Sequence, residues 1–196
     1  MAHPKMQPMT EAEYLVWSRE QDDRYEYVDG APQLKFVEWD GSKMMTGATQ
    51  VHSVVAGNVY VFLHHALKGK PCRTFISDGK IITPKGNHRF PDVAVDCGPY
   101  RPKNLELTKP VVVFEVQSKS THWIDVTRKI DEYKSIESIQ HIVYLSQDEA
   151  RGRCWSRDNG WSVVDFEGME AAIALSALAI AVPVGALYED ALTPDP

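Results

Sequence analysis

The run VVVFEVQSKSTHWIDVTRKIDEYKSI (111–136) decides how the chain folds. Its first part is apolar at successive positions, so both faces of a strand there are buried and the strand lies centrally in a sheet. Beyond it, Trp123, Ile130, Tyr133 and Ile136 recur at helical spacing. Ser118, Ser120 and Thr121 stand where side-chain oxygens cap such a helix. HIVYLS (141–146) follows as another strand. Strand, helix, strand in that order predicts a crossover that sets two strands parallel and lays the helix on one face.

One residue interrupts the apolar run: Glu115. About twenty residues upstream, RFPDVAVD (89–96) places Asp92 at the head of another buried strand. An ionised carboxylate in an apolar interior costs several kcal/mol unless a cation or hydrogen bonds offset it. Side chains alternate along strands, so Asp92 at the start of one and Glu115 near the end of the other can meet at one sheet edge. Two converging carboxylates repel and need a cation. Magnesium or manganese takes oxygen ligands, keeps several waters and binds one or two carboxylates together with substrate phosphate. Phosphodiester hydrolysis uses that arrangement, because the metal activates water and stabilises charge on the leaving oxygen.

Outward from these runs, TEAEYLVWSRE (10–20) opens with Thr10 and Glu13 as a capping box, predicting a helix to about Gln21. YEYVDGAPQLKF (25–36) alternates about Asp29–Gly30 and predicts a hairpin. Val54, Val55, Val59, Phe62, Leu63 and Ala66 share a helical face from Val51 to about Lys68, with Gly69 as a stop. CRTFIS (72–77), KIIT (80–83) and DVAVD (92–96) read as short strands, and GRCWSRDNGWSVVDF (152–166) as a hairpin about Asp158, Asn159 and Gly160. In the tail, 169–190, alanines favour helix and Pro183 favours a late turn; a short strand followed by a helical end is the expectation.

With 196 residues, 43% hydrophobic and 24% charged, the chain suits one domain over 10–190, with flexible ends at 1–9 and 191–196. The net charge of −6 excludes bulk attraction to nucleic acid but not a local site in the basic stretch from Lys68 to Lys103. No apolar run is long enough to span a bilayer, and the first ten residues lack the pattern of a signal peptide. Cys72, Cys97 and Cys154 are odd in number and widely spaced, so neither a disulfide framework nor a zinc knuckle is expected, and a reduced cytoplasm fits. His52 and the pair His64–His65 stand about 18 Å apart along one helix and cannot share an ion through it.

Pro91–Asp92 and Glu115-Val116-Gln117 resemble the two acidic motifs of the PD-(D/E)XK nuclease superfamily. The flanks RYEYVDG, HSVVAGNV, FISDGKI, FPDVAVD, VVVFEVQSKSTHWIDVTRKIDEY and ALYED come in the order seen in the Uma-type family of restriction-endonuclease-like proteins, from about Thr10 to Asp190. This resemblance implies an α/β (α+β) fold with a restriction-endonuclease-like core, a central mixed sheet flanked by helices, and an N-terminal helix and hairpin. It implies Asp92 as the principal metal ligand, Glu115 as the second, Glu26 as a third acid, and magnesium or manganese as the cofactor. It also implies DNA as substrate, and cutting both strands needs two sites, hence a homodimer.

Two positions depart from the pattern. Gln117 stands where the superfamily has lysine, and its neutral amide cannot supply the charge. Lys129 or Lys119 is then the substitute; Lys129 is favoured because Asp125, Lys129 and Tyr133 fall along one helix face at intervals of four, a pattern similar to the helix motif of RecB-like nucleases. Ala31 stands where relatives carry an acid after Asp-Gly. His52 and Asp78 match family positions and are candidates for support, as are Ser118 and Lys119 for a phosphate. The rivals are a catalytically inactive nuclease-fold protein that binds DNA or a protein partner, and a hydrolase of a smaller phosphate ester.

Overall fold

The computed structural model describes residues 6–35, 49–117 and 123–192, with the backbone alone at 123–125. The chain begins with α1 (Glu11–Trp17), where Thr10 and Glu13 form the expected capping box and a short 3-10 turn continues to Glu20. β1 (Tyr25–Val28) and β2 (Ala31–Leu34) make the expected hairpin. Asp29 and Gly30 both have positive φ (50° and 78°), the backbone that lets a two-residue turn match strand twist. α2 (Gln50–Ala66) is capped by Thr49, whose side chain accepts from the His52 amide.

A six-stranded mixed sheet is the frame, in the order β10-β9-β8-β7-β6-β3. Its strands are β3 (Arg73–Ile76), β6 (Val93–Asp96), β7 (Pro110–Gln117), β8 (His141–Ser146), β9 (Arg151–Ser156) and β10 (Val163–Glu167). β7 is interior and buried along all but its last residue, Gln117. β7 and β8 run parallel, joined through α3 (Trp123–Lys134), as the strand–helix–strand order requires. From Val112 onward alternate positions of β7 part company: Val112, Phe114 and Val116 pack toward α2, and Val113 toward Val126, Ile130 and Tyr133 of α3. Each of these fully buried side chains contributes roughly 1.5–3 kcal/mol. Helices therefore cover both faces, and Glu115, sharing parity with Val113, lies on the α3 face.

A second sheet, β2-β1-β5-β4, contains β4 (Ile81–Ile82) and β5 (His88–Arg89). The sequence reading has no strand at 88–89; two residues are too short to show alternation, and it is their pairing with Ile81 and Ile82 of β4, and of His88 with Tyr27 of β1, that makes the strand. The tail is corrected in a similar way. Before the helical end, α4 (Val184–Leu187), come two strands and not one, β11 (Ala172–Leu175) and β12 (Ile180–Pro183), paired as a hairpin.

The cysteine reading is also corrected. Arg73 pairs with Asp96, so Cys72 and Cys97 are the next cross-strand neighbours, and their sulfurs are bonded at 1.97 Å. Twenty-five residues of separation hid a pair that strand register makes adjacent. Cys154 remains a buried thiol. The cysteines thus no longer argue for a reducing compartment; among the described residues no helix is long and apolar enough to cross a membrane.

Candidate active site

Val93 pairs with Phe114, so one step outward Asp92 stands opposite Glu115 across the β6–β7 ladder. The Val116 amide donates to Asp92 Oδ2 at 2.9 Å, locking the carboxylate against β7. From α2, His52 Nε2 lies 3.1 Å from the same oxygen, brought there because Thr49 starts the helix three residues earlier. Lys35, just past β2, places Nζ 3.1 Å from Asp92 Oδ1. Asp92 is 3% exposed.

Glu115 faces α3, where Lys129 and Tyr133 sit one turn apart. The Tyr133 hydroxyl donates to Glu115 Oε1 at 2.7 Å and Lys129 Nζ lies 3.3 Å from the same oxygen. Lys129 is also 3.3 Å from Oε1 of Glu26, on β1. Glu26 accepts from Arg89 Nη1 at 2.6 Å and from the Phe90 amide at 3.2 Å. Arg89 in turn donates through Nε to Glu132 at 2.6 Å, and Glu132 also accepts from Asn87 and Arg128. Two strands of one sheet, a strand of the other and two helices thus converge on Asp92, Glu115 and Glu26.

Electrostatics separates the three acids. Burial pushes Asp92 up, but Lys35, His52 and the Val116 amide outweigh it and hold this carboxyl well below the usual range. Glu26 is likewise buried, and Lys129 and Arg89 bring it below its ordinary value. Glu115 goes the other way: its burial, with the negative charges of Asp92 and Glu26 added, exceeds the help from Lys129 and Lys35. One ion pair at such a distance gives roughly 5 kcal/mol at an effective dielectric of 20, comparable to the several kcal/mol of burying one ion. Lys129 is shared between two carboxylates and cannot fully offset both. Burial lowers the Lys129 ammonium's proton affinity, yet Glu115 and Glu26 hold it well above the ordinary value, so it stays charged. Burial and Glu115 push the Tyr133 hydroxyl up, which keeps it a donor.

Of the residues expected from sequence, the structure brings Glu26, His52, Asp92, Glu115, Lys129 and Tyr133 together. Gln117 ends β7 half-buried, with its carbonyl accepting from the Gln147 amide. Asp78 is a surface partner of Arg24 at 3.1 Å; the residue before it, Ser77, donates its amide to the Asp92 carbonyl. His64 stacks on Tyr60 far along α2 from His52. Ser118, Lys119 and the side chain of Asp125 lie outside the described residues.

Sequence reasoning missed Lys35, Glu132 and Asn87, and it counted Arg89 only as part of a basic stretch. Lys35 was reachable: Glu26 pairs with Gln33, and Lys35 is two residues further on, hence on the same strand face. Glu132 had a weaker signal, its i,i+4 spacing from Arg128.

The two carboxylates, Asp92 and Glu115, are hard oxygen donors of the type that magnesium and manganese take. Both the Lys129 and Tyr133 contacts of Glu115 fall on one oxygen, Oε1. Among the described residues no group of three His, Cys, Asp or Glu is arranged to hold a metal.

The chain is similar to an uncharacterised protein, slr1290, of Synechocystis sp. (strain ATCC 27184 / PCC 6803 / Kazusa), 27% identical over 189 residues that cover 94% of this chain and 92% of the relative. Its fold is similar to that of a protein from Anabaena variabilis ATCC 29413 described as "a putative nuclease belonging to DUF820", with a TM-score of 0.73 at 17% identity over 94% of this chain and all of the other. The model of the Uma2 family, described as "Putative restriction endonuclease", matches residues 11–184, which bears out the resemblance read from the motifs. The chain therefore belongs to the Uma2 family and has its restriction-endonuclease-like fold, a mixed sheet flanked by helices.

Proposed function

We propose that this protein is a magnesium- or manganese-dependent endonuclease that hydrolyses DNA phosphodiester bonds. The observation that carries the reading is the cross-strand pair Asp92 and Glu115, buried together and faced by Lys129 from α3. Asp92 and Glu115 would hold the ion, which supplies activation of water and stabilisation of the leaving oxygen. Lys129 supplies the positive charge that Gln117 cannot, and it does so from a helix instead of from β7. Glu26, anchored by Arg89, keeps the Lys129 ammonium beside Glu115 and charged. Tyr133 fixes the Glu115 carboxylate by a hydrogen bond whose proton stays on the phenol. Cleavage of both strands would use two copies of the chain.

A second reading keeps the scaffold and drops the chemistry: a noncatalytic protein that binds DNA or a protein partner. Gln117 in place of lysine favours it. The two part in one experiment. Purified protein is incubated with supercoiled plasmid and with single-stranded DNA in manganese or magnesium, with EDTA and Asp92→Asn as controls. Cleavage lost in both controls is the expected result; intact DNA in every lane, with metal binding retained by calorimetry, favours the binding protein. Asp92→Asn combined with Glu115→Gln should abolish metal binding, and unchanged affinity would sink the assignment of these two ligands.

A further inference from the structure

The two oxygens of Asp92 are not equivalent. Oδ2 accepts from the Val116 amide at 2.9 Å and faces His52 Nε2 at 3.1 Å, which occupies the two lone-pair sites of one carboxylate oxygen. Oδ1 is the oxygen left to a further cation, and Lys35 Nζ is already there at 3.1 Å on a side chain only 3% exposed. Lys35 is delivered by the hairpin: Lys35 N–H donates to the Arg24 carbonyl at 2.9 Å, continuing the β1–β2 ladder by one residue. Lys129, by contrast, lies between Glu26 and Glu115 at 3.3 Å from each, and neither contact involves Asp92. An ammonium and a divalent ion in contact with the same oxygen repel strongly at this depth.

We propose that Lys35 is the exchangeable counter-ion of Asp92, neutralising it in the metal-free protein and displaced from Oδ1 when a divalent cation binds. The proposal rests on the reading of Asp92 as a metal ligand and adds what must leave for the ion to enter. Exchange of a single for a double charge adds one positive charge beside Glu115, the least compensated acid of the site. It also frees an ammonium on a flexible four-carbon stem at the edge of the site, where a phosphate would meet it. Lys35 thereby takes part of the work for which neutral Gln117 is unsuited.

Calorimetric titration of manganese into wild type, Lys35→Met and Asp92→Asn, without DNA, tests this independently of activity. Lys35→Met should bind manganese about tenfold more tightly than wild type, since a competing charge is gone, and Asp92→Asn should not bind. Wild-type binding with unchanged or weakened affinity in Lys35→Met overturns the exchange while leaving the metal site standing; no binding by wild type overturns both. Should Lys35→Met fail to fold, the wild-type protein still decides. Acetylation of Lys35 by acetic anhydride, followed by peptide mass spectrometry, should run several-fold faster at saturating magnesium than in EDTA. Equal rates overturn the proposal.

Discussion

Two buried polar clusters sit at opposite ends of the parallel pair β7–β8, and they are built on different terms. At the start of β8, His141 is 1% exposed; it bonds Ser156 Oγ through Nδ1 at 2.9 Å and accepts the Ala177 amide at Nε2 at 3.2 Å. Burial lowers its proton affinity, so the ring is neutral with the proton on Nδ1, and both nitrogens are satisfied. At the far end of β7, four carboxylates (Glu26, Asp92, Glu115 and Glu132) face Lys35, Lys129 and Arg89, with half-exposed Arg128 at the rim. Glu115 is left under-compensated there, and the buried hydroxyl of Tyr144, which pairs with Glu115 across β7–β8, has no partner among the described residues. The first cluster is what a fold needs to join β8, β9 and the end of β11. The second sets four carboxylates against four cations, yet Glu115 keeps a raised proton affinity within it, and perturbed groups of this kind cluster at functional sites.

Breaking the charged cluster should cost most. Arg89→Met leaves Glu26 and Glu132 buried without their shared guanidinium, and removal of one partner from such a network costs about 3–5 kcal/mol. Denaturant unfolding in EDTA reads this directly, and an unchanged midpoint would mean that Arg89 is not what balances those acids.

Next come the two acids themselves, whose stability effects should have opposite sign. Asp92 is held below its ordinary value of 3.8, so its contribution is complete above that pH and is lost as pH falls through its folded value. Asp92→Asn should therefore cost about 2 kcal/mol at neutral pH without metal, with the difference from wild type shrinking in acid. Glu115 is raised above its ordinary 4.5, so the folded state binds the proton more tightly and stability falls as pH rises from 4.5 through the folded value. Glu115→Gln removes that fall and should gain on wild type as pH climbs from 4.5 through the folded value. Thermal unfolding of the three proteins across that range in EDTA checks both signs; a Glu115→Gln that loses ground with rising pH would refute the imbalance.

The neutral cluster should respond less. Ser156→Ala deprives the buried Nδ1–H of His141 of its acceptor and should cost about 1–2 kcal/mol, with the same value at every pH above the histidine range. A cost that varied across that pH range would mean that His141 carries charge and that the contrast between the clusters is smaller than drawn.

These clusters also mark how far the sequence could be read. Helices, hairpins and the crossover followed from periodicity and turn residues, because those signals are local: the Thr10–Glu13 box, Asp29–Gly30, and the helical stripe from Trp123 to Ile136. Asp92, Glu115 and Lys129 were legible from motif and spacing. What escaped depends on register between distant segments. Arg89 reaches Glu26 across 63 residues, through a strand only two residues long. Cys72 and Cys97 meet because β3 and β6 pair, 25 residues apart in the chain. Pairing of this kind leaves no mark in composition or local pattern.

The smallest effect falls on the residue that joins the two views, Tyr144. Its ring packs edge-on against Trp155 at 5.7 Å, a contact that phenylalanine keeps. Its hydroxyl is buried beside Glu115 without an acceptor among the described residues, and burial with the charge of Glu115 raises its proton affinity. An orphaned hydroxyl costs desolvation and returns no hydrogen bond, so Tyr144→Phe should leave metal-free stability unchanged or raise it by up to about 1 kcal/mol. A loss of more than about 1 kcal/mol would place a bound water on that hydroxyl. The site end would then be as well satisfied in its neutral groups as the His141 end, and charge alone would distinguish them.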